Sequence, residues 1–238
     1  MRLVDCEQGD LTWRVAHLAT PTCSSYGKII QPTRLKYSEG ASKYISALLC
    51  EWALGVPLDS KDMTRTGTQW MERGTDMEAQ ARAWYEWERD VEVQKVGYIE
   101  RSDGRTGGSP DGLVGTDGIL EVKCLGAAGH MAALLEGVSD WRAQTQGYLY
   151  LTERAWVDIC LFNPVLPKII HRVERDDNFI LQLHRCLGRF LRELDAGKRK
   201  LLALPGFTPP PGAIMPDPEE LDAEDVVDQM YALGADAR

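Results

Sequence analysis

The sequence predicts an α/β (α+β) domain in which helices flank a small mixed central β-sheet. Three observations predict it. An Asp117-Gly118 pair set between apolar runs marks a β-hairpin. Two more strand-like runs follow, Trp156 to Phe162 and Lys168 to Val173. Around and between them lie stretches whose apolar residues recur at helical spacing.

In chain order, Met1 to Thr20 is a mixed opening that holds Trp13 and an amphipathic stretch from Leu11 to Leu18. Pro21 to Ser25 is a turn of small residues, suited to capping a helix or lining a phosphate pocket. Ser42 to Leu54 places Tyr44, Ile45, Leu48, Leu49 and Trp52 on one helical face, with Gly55 as its stop. The polar loop Pro57 to Thr68 precedes a long helix from Gln69 to Arg89, and Val91 to Glu100 alternates as one strand. Ser102 to Gly108 is a Gly-rich turn leading into the hairpin, whose tip at Asp117-Gly118 sets Gly112 opposite Lys123. Ala127 to Leu135, Trp141 to Leu151 and Phe179 to Leu194 read as helices. Pro205 to Pro211 is a Pro-rich linker, so residues 1–204 form the expected folded domain and residues 205–238 a linker and acidic tail.

At 238 residues one substantial domain with a sizeable core is expected. No segment approaches the roughly 18 consecutive apolar residues of a membrane span, and the N-terminus starts no secretory signal. Cytoplasmic localisation is the expectation. Six cysteines are scattered without a CxxC pair, which argues against structural zinc, an iron–sulfur cluster or a disulfide framework. The net charge of −9 looks wrong for a nucleic-acid enzyme, but eight of the 36 acidic residues and one of the 27 basic ones lie between Asp217 and Arg238. The body carries 28 acidic and 26 basic residues, about −2, so acidity counts only weakly against a DNA substrate.

The most informative stretch is Ser109-Pro110-Asp111-Gly112 followed by Leu120-Glu121-Val122-Lys123. Side chains on a strand alternate faces, so Glu121 and Lys123 point the same way. Asp111 sits beside them at the open end of the hairpin. Two carboxylates and an ammonium on one face are satisfied together by a hard divalent cation and a phosphate. The bland alternative is a solvated edge hairpin; apolar Ile119, Leu120 and Val122 argue for a core strand instead. On the long helix, Glu78, Arg82 and Tyr85 share one stripe, which by spacing alone is an ordinary ion pair beside a core aromatic. Gln144 and Tyr148 likewise share a helix face.

Taken in order, Gly74-x3-Glu78-x2-Ala81-Arg82-x2-Tyr85, Ser109-Pro110-Asp111-Gly112-Leu113, Leu120-Glu121-Val122-Lys123-Cys124 and Ala143-Gln144-x-Gln146 resemble the phage lambda exonuclease (YqaJ-type, alkaline exonuclease) family of PD-(D/E)xK nucleases. The resemblance runs from about Trp13 to Phe162. It implies a Mg²⁺-dependent 5′-to-3′ exonuclease, with two ions per site and Mn²⁺ as a substitute, that degrades one strand of linear double-stranded DNA and leaves 3′ overhangs for recombination. It also implies a homotrimeric ring and a single-strand annealing protein as partner.

Carried over by residue, the resemblance makes Asp111 and Glu121 metal-binding carboxylates, joined by Glu78 and the backbone carbonyl of Val122. It makes Lys123 the catalytic lysine and Gln144 the glutamine near the nucleophile. Ser24 and Ser109 fall where the family places serines on the terminal phosphate. Two family arginines are missing: one is replaced by His17, the other is replaced near Gly129-His130. Arg14, His17, Lys28 and His130 are the residues left for the 5′-phosphate pocket. The rival readings are a PD-(D/E)xK repair or restriction endonuclease, which cuts circular DNA, and a glycoside hydrolase using Asp111 and Glu121 without metal.

Overall fold

The computed structural model describes residues 1–58 and 65–216, with the backbone alone from 65 to 76. Residues 59–64 of the Pro57–Thr68 loop and the whole acidic tail from Asp217 lie outside the described residues. The chain opens with β1 (Arg2–Val4) and α1 (Leu11–His17), passes a 3₁₀ turn (Cys23–Lys28), and forms the small hairpin β2 (Ile30–Gln31) and β3 (Lys36–Tyr37). Next come α2 (Ala41–Leu54), α3 (Arg65–Arg89), β4 (Val93–Gln94), β5 (Tyr98–Glu100), β6 (Gly107–Gly108), β7 (Gly112–Val114) and β8 (Gly118–Lys123). The last part is α4 (Ala127–Glu136), α5 (Arg142–Thr152), β9 (Trp156–Leu161), β10 (Ile169–Glu174) and α6 (Asp177–Leu202).

The central sheet has five strands in the order β10-β9-β8-β7-β4. Only β8 and β9 run parallel, so the sheet is mixed, as the sequence predicts. Its two faces are covered differently. Ile119 and Val157 join Tyr148 and Leu149 of α5 and Phe179, Leu183 and Phe190 of α6 in the main core. Leu120, Val122, Cys160 and Phe162 pack on Ala81 and Tyr85 of α3. The result is a helix–sheet–helix sandwich with β8 at its centre.

Three sequence expectations change. The β7–β8 hairpin pairs Gly112 with Leu120 and Val114 with Gly118, so Gly112 does not face Lys123. The tip is Gly115-Thr116-Asp117, with Gly115 at φ +52°, in place of a two-residue Asp117-Gly118 turn. Val91–Glu100 is not one strand: β4 joins the central sheet, whereas β5 pairs with β1 and β6 in a separate sheet. The last helix begins earlier and ends later than its apolar periodicity indicates. Asp176 caps its start by accepting the Phe179 N–H at 3.0 Å. Past Leu194 it continues through buried polar residues, Asp195 paired with Arg105, and Lys198 donating to the Ile214 carbonyl at 3.3 Å. Trp52 Nε1 donates to the same carbonyl at 2.9 Å, and its ring lies 5.8 Å from that of Phe207, so residues 205–216 fold back onto α2. α2 itself ends at Gly55, whose φ of +68° suits a residue without a Cβ.

Candidate active site

β8 carries the central pair of charges because it alternates between the two cores. Its even residues Leu120 and Val122 meet α3, and Glu121 and Lys123 point to the side of α5. Glu121 is only 5 % exposed. Its Oε1 accepts from Lys123 Nζ at 2.7 Å and from Gln144 Nε2 at 2.8 Å. Lys123 Nζ also donates to Gln144 Oε1 at 3.1 Å and lies 5.5 Å from the Trp141 ring centre. The other carboxylate oxygen, Oε2, is buried without a hydrogen-bond partner. An orphaned buried acceptor costs about 1–3 kcal/mol, and a bound cation is one remedy.

Asp111 approaches from the strand next door. β7 begins at Gly112, and in the register of the hairpin Asp111, just before it, falls beside Glu121. Asp111 Oδ2 accepts the Val122 N–H at 2.6 Å. The N–H and C=O of one strand residue point to the same edge, so the Val122 carbonyl faces the same gap. Burial, then the charges of Glu121 and Glu78, push the Asp111 carboxyl well above the usual carboxylate range, and the Val122 N–H and Lys123 offset this only in part. Glu121 and Glu78 are thus both within electrostatic reach of Asp111.

α3 brings Glu78 from the opposite face of the sheet, one turn before Ala81 and Arg82. Its Oε1 accepts from Arg82 Nη2 at 2.5 Å. Among the described residues no three His, Cys, Asp or Glu side chains stand in a metal-holding arrangement. The groups that fit a hard cation are the Glu121 Oε2, Asp111 and the Val122 carbonyl, an all-oxygen set; Glu78 is turned to Arg82. Cys124 adjoins the site, but burial, Glu78 and Asp111 push its thiol up to about 11, so it is protonated at neutral pH.

The other side of the site runs towards the N-terminal segment. Gln144 Nε2 donates to Tyr148 Oη at 2.9 Å, and that hydroxyl donates to the Ser109 carbonyl at 3.2 Å. The Ser109 hydroxyl accepts from Trp13 Nε1 at 2.8 Å. Gly108 permits this packing, since a Cβ there would sit 2.8 Å from Cys23 Sγ and 2.9 Å from the Tyr148 ring. Thr22 bridges to Gly107, and Thr22 Oγ1 lies 3.2 Å from Ser24 Oγ, so the Pro21–Ser25 turn adjoins the strand that leads to Ser109. Ser24 is exposed. His17 stacks between Trp13 (3.8 Å) and Tyr98 (4.4 Å), with Nδ1 2.9 Å from the Trp13 carbonyl, and burial pushes its pKa down. It is therefore mostly neutral at pH 7. Arg14 is exposed and donates to the Gly9 carbonyl at 3.1 Å. Lys28 lies 4.9 Å from the Tyr44 ring centre. His130 is fully buried, with Nε2 2.7 Å from the Pro167 carbonyl, which places it in the fold rather than on a phosphate.

A family model, the YqaJ-like viral recombinase domain, matches residues 12–155, a span holding every one of these groups. The chain belongs to the YqaJ-like viral recombinase domain family. A search of curated proteins finds no match. Among solved structures, this YqaJ-like chain is similar to an alkaline exonuclease (LHK-Exo) from Laribacter hongkongensis, at 29 % identity and a TM-score of 0.69 over 80 % of this chain and 95 % of that one. A second structure of LHK-Exo, in complex with dAMP, matches at 30 % identity and a TM-score of 0.68 over 79 % of this chain and 96 % of that one. A phage-related exonuclease from Haemophilus somnus 129PT shares the fold at 17 % identity and a TM-score of 0.54, over 74 % of this chain and 94 % of that one.

Sequence reasoning missed two features of the YqaJ-like site. Tyr148 joins Gln144 to the Ser109 backbone instead of serving only as a core aromatic. Asp158, fully buried on β9, accepts a two-pronged Arg172 contact (2.8 and 2.8 Å) and the Tyr85 hydroxyl at 2.9 Å. It pins the α3 stripe that carries Glu78. Its signal was present: an aspartate inside the otherwise apolar run Trp156 to Phe162 needs a partner.

Proposed function

We propose that this protein is a divalent-cation-dependent DNA exonuclease that removes one strand of linear duplex DNA from its 5′ end. The observation that carries the reading is the buried Glu121 carboxylate, with one oxygen held by Lys123 and Gln144 and the other unpartnered beside Asp111. Family membership and the likeness to an alkaline exonuclease, one of whose structures holds dAMP, support a nucleotide-sized site acting on DNA.

In this reading two Mg²⁺ ions would be held by Asp111, Glu121 and the Val122 carbonyl, with Glu78 joining. When bound they supply a water of lowered pKa and neutralise charge on the phosphate. The chain's own residues do the rest. Glu121 holds the Lys123 ammonium in place, next to where an attacking water would lie, so Lys123 orients that water or offsets charge building on the phosphate. Gln144 fixes both, and Tyr148 ties Gln144 to the backbone of the segment bearing Ser109. Ser109 and Ser24 line the 5′-phosphate side. The protein works as a homotrimeric ring, and its 3′ overhangs pass to a single-strand annealing protein. Removal of the terminal nucleotide yields a deoxynucleoside monophosphate.

The experiment is incubation of linear and circular duplex DNA with Mg²⁺, Mn²⁺ or EDTA. Mononucleotide release from linear DNA alone, lost in EDTA, is expected. Cutting of closed circles would place the protein with endonucleases, and EDTA-insensitive hydrolysis would remove the metal from the mechanism.

A further inference from the structure

Three carboxylates meet at this site, and each is answered differently. Glu121 rests on Lys123, Glu78 on Arg82, and Asp111 on the Val122 backbone N–H. The Glu78–Arg82 pair is unlike an ordinary i, i+4 pair, whose charged ends both lie in water. The Arg82 side chain is 9 % exposed and that of Glu78 33 %. Arg82 Nε is buried with no hydrogen-bond partner, and among the described residues Glu78 is the acceptor that the guanidinium reaches. Glu78 Oε1 in turn lies 2.5 Å from Arg82, and among the described residues no third acid completes a metal-holding group with Asp111 and Glu121.

We propose that Arg82 is a positioning residue that competes with the divalent cation for Glu78, holding that carboxylate out of the metal site until a cation displaces it. The inference rests on the metal-site reading above and adds to it. A guanidinium keeps its proton at any working pH, and a buried stem keeps it in place. A dication close to it is repelled, so Glu78 cannot fully serve both. Arg82 thereby balances the charge of the metal-free site and lowers its resting affinity for cations.

The test is calorimetric titration of Mn²⁺ alone, without DNA, into the full-length protein and its Arg82→Met, Arg82→Lys, Glu78→Gln and Glu78→Gln/Arg82→Met variants. Arg82→Met should bind Mn²⁺ about fivefold more tightly or better. The gain should vanish in the Glu78→Gln background, and Arg82→Lys should fall between wild type and Arg82→Met. Unchanged or weaker binding in Arg82→Met overturns the proposal. Should that variant not fold, Arg82→Lys decides by the same criterion. Absence of Mn²⁺ binding in the wild type overturns the metal-site reading itself, whereas binding indifferent to Arg82 removes only this inference.

Discussion

Replacing Asp111 by Asn should make the metal-free protein more stable while abolishing its cation response. The substitution keeps an oxygen that can accept the Val122 N–H, now at 2.6 Å, and removes one of three negative charges. Burial and the charges of Glu121 and Glu78 raise the Asp111 pKa in the folded protein. A raised carboxyl pKa favours the folded state at low pH, and that advantage is lost as pH rises from the ordinary carboxylate range through the folded value. Well above the ordinary carboxylate range the wild type therefore carries this penalty and the Asn variant does not; near pH 4 the two converge. Carboxylates roughly 6 Å apart in an effective dielectric of about 20–40 repel by about 1–3 kcal/mol. With about 2–4 °C of Tm per kcal/mol in a chain of this size, the variant should melt about 2–12 °C higher in EDTA at pH 8. Mg²⁺ at about 100 times its Kd should add about 2.7 kcal/mol to the wild type and nothing to the variant. Scanning calorimetry at pH 4.5 and 8, in EDTA and in Mg²⁺, reads all of this. A variant that melts lower in EDTA at pH 8, or still gains from Mg²⁺, would refute the reasoning.

Other predictions follow from the same geometry. Lys123→Ala should lose most of the cutting activity while still binding Mn²⁺ by calorimetry; loss of that binding would make Lys123 a structural counter-ion of Glu121. Asp158→Ala should destabilise the fold by about 1–3 kcal/mol, since it leaves the buried Tyr85 hydroxyl without its acceptor and frees the half-exposed Arg172, and a denaturant titration indistinguishable from wild type would remove Asp158 as the anchor of α3. A 5′-phosphorylated end should be degraded faster than a 5′-hydroxyl end, and Ser109→Ala should narrow the gap; equal rates on both ends would take Ser24 and Ser109 out of the site. Light scattering should give a mass near three protomers, and a monomer that nevertheless digests DNA processively would contradict the ring.

Much of this was legible in the sequence because strand geometry is local. Glu121 and Lys123 share a face wherever the hairpin turns, and Gln144 and Tyr148 share one for the same kind of reason on a helix. The register was not legible. An Asp-Gly pair suggested a two-residue tip, but Gly115 takes the left-handed conformation and shifts the pairing, which brings Asp111 level with Glu121. The break between β4 and β5 was hidden because both halves alternate, although they pair with different sheets. That Gln144 reaches Glu121 and that Glu78 acts on Asp111 depends on how α3 and α5 dock on opposite faces, and no spacing rule reaches across that distance. Periodicity also stopped the last helix at Leu194, since it cannot count buried charges such as Asp195 and Lys198 as core.

The account turns on the Asp111–Glu121 pair being a cation site. Crystals soaked in Mn²⁺, with data collected at its absorption edge, would test this most directly. The predicted result is an anomalous peak roughly 2–2.3 Å from Glu121 Oε2 and an Asp111 oxygen, absent in Glu121→Gln crystals. Glu121 Oε2 still without a metal, in crystals of a protein that degrades DNA in the same Mn²⁺ solution, would contradict it.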